Sequence, residues 1–173
     1  DLVPPVVKAL RARNIQVWGW HYVFGNQPVP EARIAIRRVT ELELDGYVID
    51  AESEYKASGK ASAARQFMRE LRGGLGNNLP IALSSYRYPS LHPLPWNEFL
   101  EKCDYNMPQV YWIKAHNPGD QLVKTLQEFE SSKIKYRPPI IPTGAAFQEH
   151  GWKPSLAEVV EFLDKARELK LKG

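Results

Sequence analysis

The chain predicts an α/β fold in which parallel strands alternate with helices, and three observations over its 173 residues carry that reading. Apolar runs of strand length recur about every 30 residues, the size of one βαβ unit. Those runs are apolar almost throughout, as strands are when a sheet is covered on both faces. Between them lie segments whose apolar residues return with helical spacing.

Taken in order, residues 6–13 read as a helix and residues 15–24 (Ile-Gln-Val-Trp-Gly-Trp-His-Tyr-Val-Phe) as a strand. Residues 30–44 fit a helix, because Pro30 brings the fixed φ of a first turn and lacks only an N–H that the first turn leaves unbonded. A strand over 46–51 follows. The helix over 61–71 is expected to close at Gly73-Gly74, ahead of a strand over 80–86. A short helix over 96–102 precedes a strand over 105–112, and residues 120–131 return to helical spacing. Residues 139–144 are extended, and the last helix spans 155–169, where Ser155 and Glu158 make a capping box.

Two architectures suit this alternation, an open doubly wound sheet and a TIM (β/α)8 barrel. Length favours the open sheet, since a complete barrel needs ~250 residues. The strand ends favour the barrel: Trp20-His21-Tyr22, Asp50 with Glu52, Ser84-Ser85-Tyr86, Gln109-Val110-Tyr111-Trp112 and Thr143 are all polar or aromatic. Barrel strands converge on one site at their carboxyl ends, whereas an open sheet binds at a single switch point. Phe24-Gly25-Asn26-Gln27-Pro28 also lacks the second and third glycines of a dinucleotide loop. The expectation is a partial TIM barrel with about five or six βα units, one domain over 1–173 that lacks the first and last strands of a complete barrel. Its exposed strand edges call for cover from a second copy or from the remainder of a larger chain.

Composition narrows the function. Hydrophobic residues make up 43% of the chain, enough for a substantial core. The 23 basic and 20 acidic residues leave +3, and the basic ones are dispersed, so no nucleic-acid footprint is indicated. No run approaches the ~18 apolar residues of a membrane span, and no signal-peptide pattern is present. Cys103 is the single cysteine, which excludes an intrachain disulfide and leaves the compartment open. His21, His92, His116 and His150 lie on separate segments without ligand spacing, so no metal and no cofactor is expected; they read as surface or loop histidines. Ser84-Ser85 has no glycine-flanked elbow, and no base adjoins Cys103.

The sharpest chemical signal is Asp45-Gly46-Tyr47-Val48-Ile49-Asp50-Ala51-Glu52-Ser53-Glu54, an apolar strand ending in alternating carboxylates. Asp50, Glu52 and Glu54 share one parity and so one face. Asp50 and Glu52 have Cα atoms ~6.6 Å apart, a spacing at which two carboxyl groups can flank one scissile bond. Glu52 suits a general acid, because an apolar wall and a neighbouring carboxylate both raise a carboxyl pKa. The alternative is a salt bridge to Lys56 or Arg87. Asp50 would orient the substrate or stabilise its positive charge, or else accept backbone N–H bonds. Glu54 lies past the strand and is expected to be solvated. Trp20, Tyr22, Tyr86 and Tyr111 are expected inward as sugar platforms, with Trp112 added to the binding set. Gln109 shares the parity of Tyr111 and suits a hydroxyl ligand. The proline-rich loop 88–95 follows a strand at the site face, where it could wall a cleft.

Asp50-Ala51-Glu52 resembles the Asp-x-Glu at a strand end in (β/α)8 glycoside hydrolases, the family-25 lysozyme-like and family-18 chitinase-like barrels. Trp18-Gly19-Trp20-His21-Tyr22 resembles their aromatic second strand, and Met107-Pro108-Gln109-Val110-Tyr111-Trp112 their polar-aromatic later strand. Val48 and Gly46 stand where the fuller chitinase signature has aspartates. The resemblance implies acid-base cleavage of a polysaccharide, with Glu52 as proton donor and Asp50 as its partner. It implies an N-acetylhexosamine polymer if Asp50 helps an N-acetyl group act as nucleophile. Such a substrate suits a secreted or cell-wall-associated protein. A non-catalytic barrel that binds carbohydrate or protein is the second expectation.

Overall fold

The computed structural model describes residues 2–172. Five strands form one parallel sheet: β1 (Trp18–Val23), β2 (Gly46–Ala51), β3 (Ile81–Tyr86), β4 (Tyr105–Val110) and β5 (Thr143–Gly144). Their spatial order is β1-β2-β3-β4-β5, so each strand lies beside its sequence neighbours. A doubly wound sheet must reverse its order at a switch point, and this one never does. The fold is a partial barrel of the α/β class.

Helices α1 (Val3–Arg11), α2 (Pro28–Glu41), α3 (Lys60–Leu75), α4 (Trp96–Leu100), α5 (Pro118–Ser131) and α6 (Leu156–Glu168) complete the alternation, with a 3-10 turn at Ser53–Lys56. Prolines start α1, α2 and α5, and α2 begins at Pro28 rather than Pro30. At α6 the Ser155 Oγ accepts from Glu158 N at 3.2 Å while Ser155 N donates to Glu158 Oε2 at 2.6 Å, the expected capping box.

Parallel register sorts the strand residues onto two faces. Tyr22, Asp50, Ser84 and Met107 lie level with one another on the inner face, and Tyr86, Gln109 and Thr143 form the tier above them. Residues of the opposite parity, including Val23, Ile49, Ala51, Leu83 and Val110, are fully buried under the helices. Ala32, Ala35 and Val39 of α2 and Ala64, Phe67, Met68 and Leu71 of α3 close that outer core. A second cluster joins Val110, Trp112, Leu122, Ala145, Trp152 and Phe162 around α5 and α6. Inner-face Val48, Asp50, Ser84, Met107 and Gln109 are only half-buried.

Two expected boundaries move for physical reasons. Helix α3 runs through Gly73-Gly74 and stops at Gly76, whose φ of 71° is the left-handed conformation that ends helices. Gly74 serves packing instead: a Cβ there would lie 2.4 Å from the Ile36 side chain of α2. The extended segment 139–144 shrinks to the two residues of β5, since Pro138, Pro139 and Pro142 have no N–H for a ladder. Ile140 still bridges Asn106.

Candidate active site

Strand β2 delivers the carboxylates. Asp50 is its penultimate residue, and Glu52 follows in extended backbone (φ −126°, ψ −150°) as the residue before the 3-10 turn. The extended conformation preserves alternation, so both side chains reach the inner face. Gln109 on β4 ties them together: its Nε2 donates to Glu52 Oε1 at 2.9 Å, to Asp50 Oδ1 at 3.1 Å and to Ser84 Oγ at 3.2 Å. An amide has two N–H groups, so three acceptors share them, and the four side chains form one connected unit.

The environment separates the three carboxylates. Burial, followed by the charge of Asp50, pushes Glu52 up to about 7. Burial also raises Asp50, against hydrogen bonds from Glu52 and Gln109 that stabilise its charged form. Glu54 moves down, chiefly because it accepts a hydrogen bond from the Tyr22 hydroxyl. Glu52 therefore keeps its proton to near neutrality, which a group that protonates a leaving oxygen must do.

Several expected positions change. Trp112 is 1% exposed, stacked on Phe162 with centroids 5.3 Å apart and edge-on to Trp152 at 6.4 Å. It has the parity opposite to Gln109 and Tyr111, so it is a core residue beneath α6 and offers no platform to a ligand. Glu54 is not simply solvated, since it holds Tyr22. Neither Lys56 nor Arg87 pairs with Glu52. The Arg87 guanidinium lies over the rings of Tyr86 and Tyr88, at 5.1 and 4.8 Å.

The neighbour of Glu52 is instead His92, whose Nε2 lies 3.2 Å from Glu52 Oε2. His92 is 7% exposed, not a surface histidine, and its ring lies 5.6 Å from that of Tyr86. Sequence reading missed it, although its loop was expected to wall a cleft. His21 also points away from solvent, its Nδ1 2.7 Å from the Tyr47 hydroxyl.

Among the other expected ligands, Trp20 is 68% exposed on the inner face and Tyr86 is half-buried beside His92. Tyr111 is half-buried, edge-on to Phe147 at 5.0 Å. Asp50, Glu52, Ser84, Tyr86, Gln109 and His92 are thus brought together; Trp20 stands apart on β1. A cleft of about 500 Å³ lies elsewhere, between Pro93, Trp96, Glu128 and Ile134. Neither Asp50 nor Glu52 lines it; both occupy the inner sheet face instead. Among the described residues no group of three or more histidine, cysteine, aspartate or glutamate side chains is placed to hold a metal ion.

No protein-family model and no curated protein matches the sequence. Solved structures do match in fold. A chitinase from Rhizomucor miehei superposes with TM-score 0.59 at 13% identity, covering 81% of this chain and 54% of its own. An endo-β-N-acetylglucosaminidase from Cordyceps militaris superposes with TM-score 0.60 at 17% identity, covering 84% and 51%. The chitinase domain of the spore coat protein CotE from Clostridium difficile gives TM-score 0.51 at 13% identity, covering 94% and 49%. This chain spans about half the length of these structures. At such identities the likeness is one of fold, and over roughly that half the chain shares the α/β barrel architecture of these three structures.

Proposed function

We propose that this chain is a glycoside hydrolase-like domain that cleaves a polysaccharide, with Glu52 as proton donor and Asp50 as its electrostatic partner. The observation that carries the reading is the Asp50–Gln109–Glu52 unit, in which one of two neighbouring inward carboxyl groups is held protonated to about 7. Protonated Glu52 gives its proton to the glycosidic oxygen as the C1–O bond breaks. Asp50 faces the positive charge that develops on the sugar ring. Glu52, now ionised, takes a proton from the incoming water and is restored.

The fold neighbours include a chitinase and an endo-β-N-acetylglucosaminidase, which favours the chitinase-like over the lysozyme-like resemblance. An N-acetylhexosamine polymer is accordingly the proposed substrate. In that case the substrate's own acetamido oxygen attacks C1 while Asp50 holds the amide N–H. Trp20, Tyr22, Tyr86 and Tyr111 would supply stacking surfaces, and Gln109 a contact to hydroxyls.

One observation favours a second reading, a barrel domain that binds glycan without cleaving it: Asp50 and Glu52 are only half-buried, on a sheet face outside the 500 Å³ cleft. The two separate cleanly. Full-length protein is assayed on chitin, peptidoglycan and plant polysaccharides, with Glu52→Gln alongside. Hydrolysis lost in the variant while binding persists supports the enzyme; binding by wild type without hydrolysis supports the second reading.

A further inference from the structure

The loop between β3 and α4 is built to hold its histidine still. His92 precedes Pro93, which restricts its backbone to extended conformations. Its carbonyl accepts from Trp96 Nε1 at 2.9 Å and from Leu94 N at 2.8 Å, and its own N–H reaches Pro89 O at 3.2 Å. Trp96 in turn stands edge-on against Phe129 of α5, with centroids 5.4 Å apart. The imidazole emerges from this anchorage buried, with Nε2 3.2 Å from Glu52 Oε2. Nε2 has no hydrogen-bond partner among the described residues, and the contact with Oε2 is close enough for one but out of line. Catalytic hydrogen bonds in unliganded sites are commonly slack in this way and tighten when substrate binds.

We propose that His92 is a positioning residue for Glu52, its Nε2–H holding Oε2 while the Gln109 amide holds Oε1. This inference rests on the reading of Glu52 as the acid. A carboxylate offers two lone pairs on each oxygen. One contact at each oxygen fixes the plane of the group and leaves lone pairs for the transferred proton. The histidine must be neutral to do this, because an imidazolium at 3.2 Å would acidify Glu52. Burial first, and then the charge of Lys56, pushes His92 down to about 4, so it is uncharged wherever Glu52 titrates.

The other groups facing the pair are Asp50 on β2, Glu54 in the 3-10 turn, Tyr22 on β1, Tyr86 on β3 and Tyr111 beyond β4. Asp50 and Glu54 both raise Glu52, and a histidine variant leaves them in place. A change in the titration of Glu52 on altering His92 therefore reports the imidazole.

The test is a carbon-13 NMR titration of the Glu52 side-chain carboxyl in full-length protein, read for wild type, His92→Phe, His92→Asn and His92→Gln. Losing a donor to the carboxylate must raise its pKa, so Phe moves the midpoint upward, and Gln, which can still donate, returns it towards wild type. Asn keeps polarity but falls short of Glu52, and gives the same reading as Phe should that variant not fold. Where a glycan is cleaved, Phe and Asn lower kcat about tenfold to a hundredfold. KM stays within about twofold, and the alkaline limb of the pH profile moves up with the carboxyl. A Glu52 midpoint unchanged in Phe and Asn overturns the pairing, whether or not any glycan is hydrolysed. A shifted midpoint upholds it, and a wild type that cleaves nothing then counts against the glycosidase reading alone.

Discussion

The two faces of one sheet follow different rules, and β2 shows both within six residues. Tyr47, Ile49 and Ala51 point outward into a core closed by α2 and α3, where each is buried to 2% exposure or less. Val48 and Asp50 point inward, half-exposed, and Glu52 continues their parity. Packing governs the outer face, since apolar area removed from water drives its assembly. The inner face is governed by hydrogen bonds around Gln109 and by the partial desolvation of two carboxyl groups. Stability and chemistry are therefore separable here by residue parity, and each substitution below tests that separation.

The largest expected effect is on the inner face. Glu52→Gln should lower turnover by roughly 10²- to 10⁴-fold, the range for removing a general acid. Unfolding in urea should show equal or greater stability, because a partly desolvated acid is replaced by a neutral amide. A variant that loses stability and activity in parallel would show that the faces are not separable. Next comes the outer face. Trp112→Ala should cost about 3–5 kcal/mol of stability, as large-to-small changes in cores do, with glycan affinity per folded molecule unchanged. Weakened binding at full stability would return Trp112 to the ligand face.

What the sequence discloses follows the same division. Local signals are legible: β2 lies over the expected residues, the capping box of α6 is where Ser155 and Glu158 put it, and the alternation of strands and helices yields the sequential sheet. Trp112 could have been excluded from the site by its parity alone, since it is at an even position and Gln109 and Tyr111 are at odd ones. Contacts between distant segments are not legible. Glu54 meets Tyr22 across 32 positions, and His92 reaches Glu52 only because a loop folds back over a neighbouring strand end. Gly74 looks like a helix stop in sequence, yet it is a point of close approach that requires knowing where Ile36 lies.

Trp20 sharpens the comparison at smaller amplitude, as the same residue type as Trp112 on the opposite face. It is 68% exposed, so Trp20→Ala should leave the urea midpoint nearly unmoved. If it serves as a sugar platform, affinity for oligosaccharide falls about tenfold, the loss of one stacking contact worth ~1–1.5 kcal/mol. Isothermal titration with a chitin oligosaccharide decides this, and unaltered affinity removes Trp20 from the ligand surface.

The smallest effect is a cancellation in the pH dependence of stability. Glu52 is raised from 4.5 to about 7, so its contribution is complete below pH 4.5 and is lost as pH rises towards 7. His92 is lowered from 6.5 to about 4, which has the opposite consequence: native protein gains stability as pH rises from 4 to 6.5. Between about pH 4.5 and 6.5 the two slopes oppose each other, and wild-type stability owes little net pH dependence to the pair. Removing either member uncovers the other. Glu52→Gln should make stability rise across that window by up to about 2 kcal/mol, and His92→Phe should make it fall by a similar amount. Urea midpoints at pH 4.5, 5.5 and 6.5 measure both. Parallel curves in all three proteins would mean that the carboxyl and the imidazole titrate in the folded state as they do in the unfolded chain, and that the inner face is as wet as the surface around it.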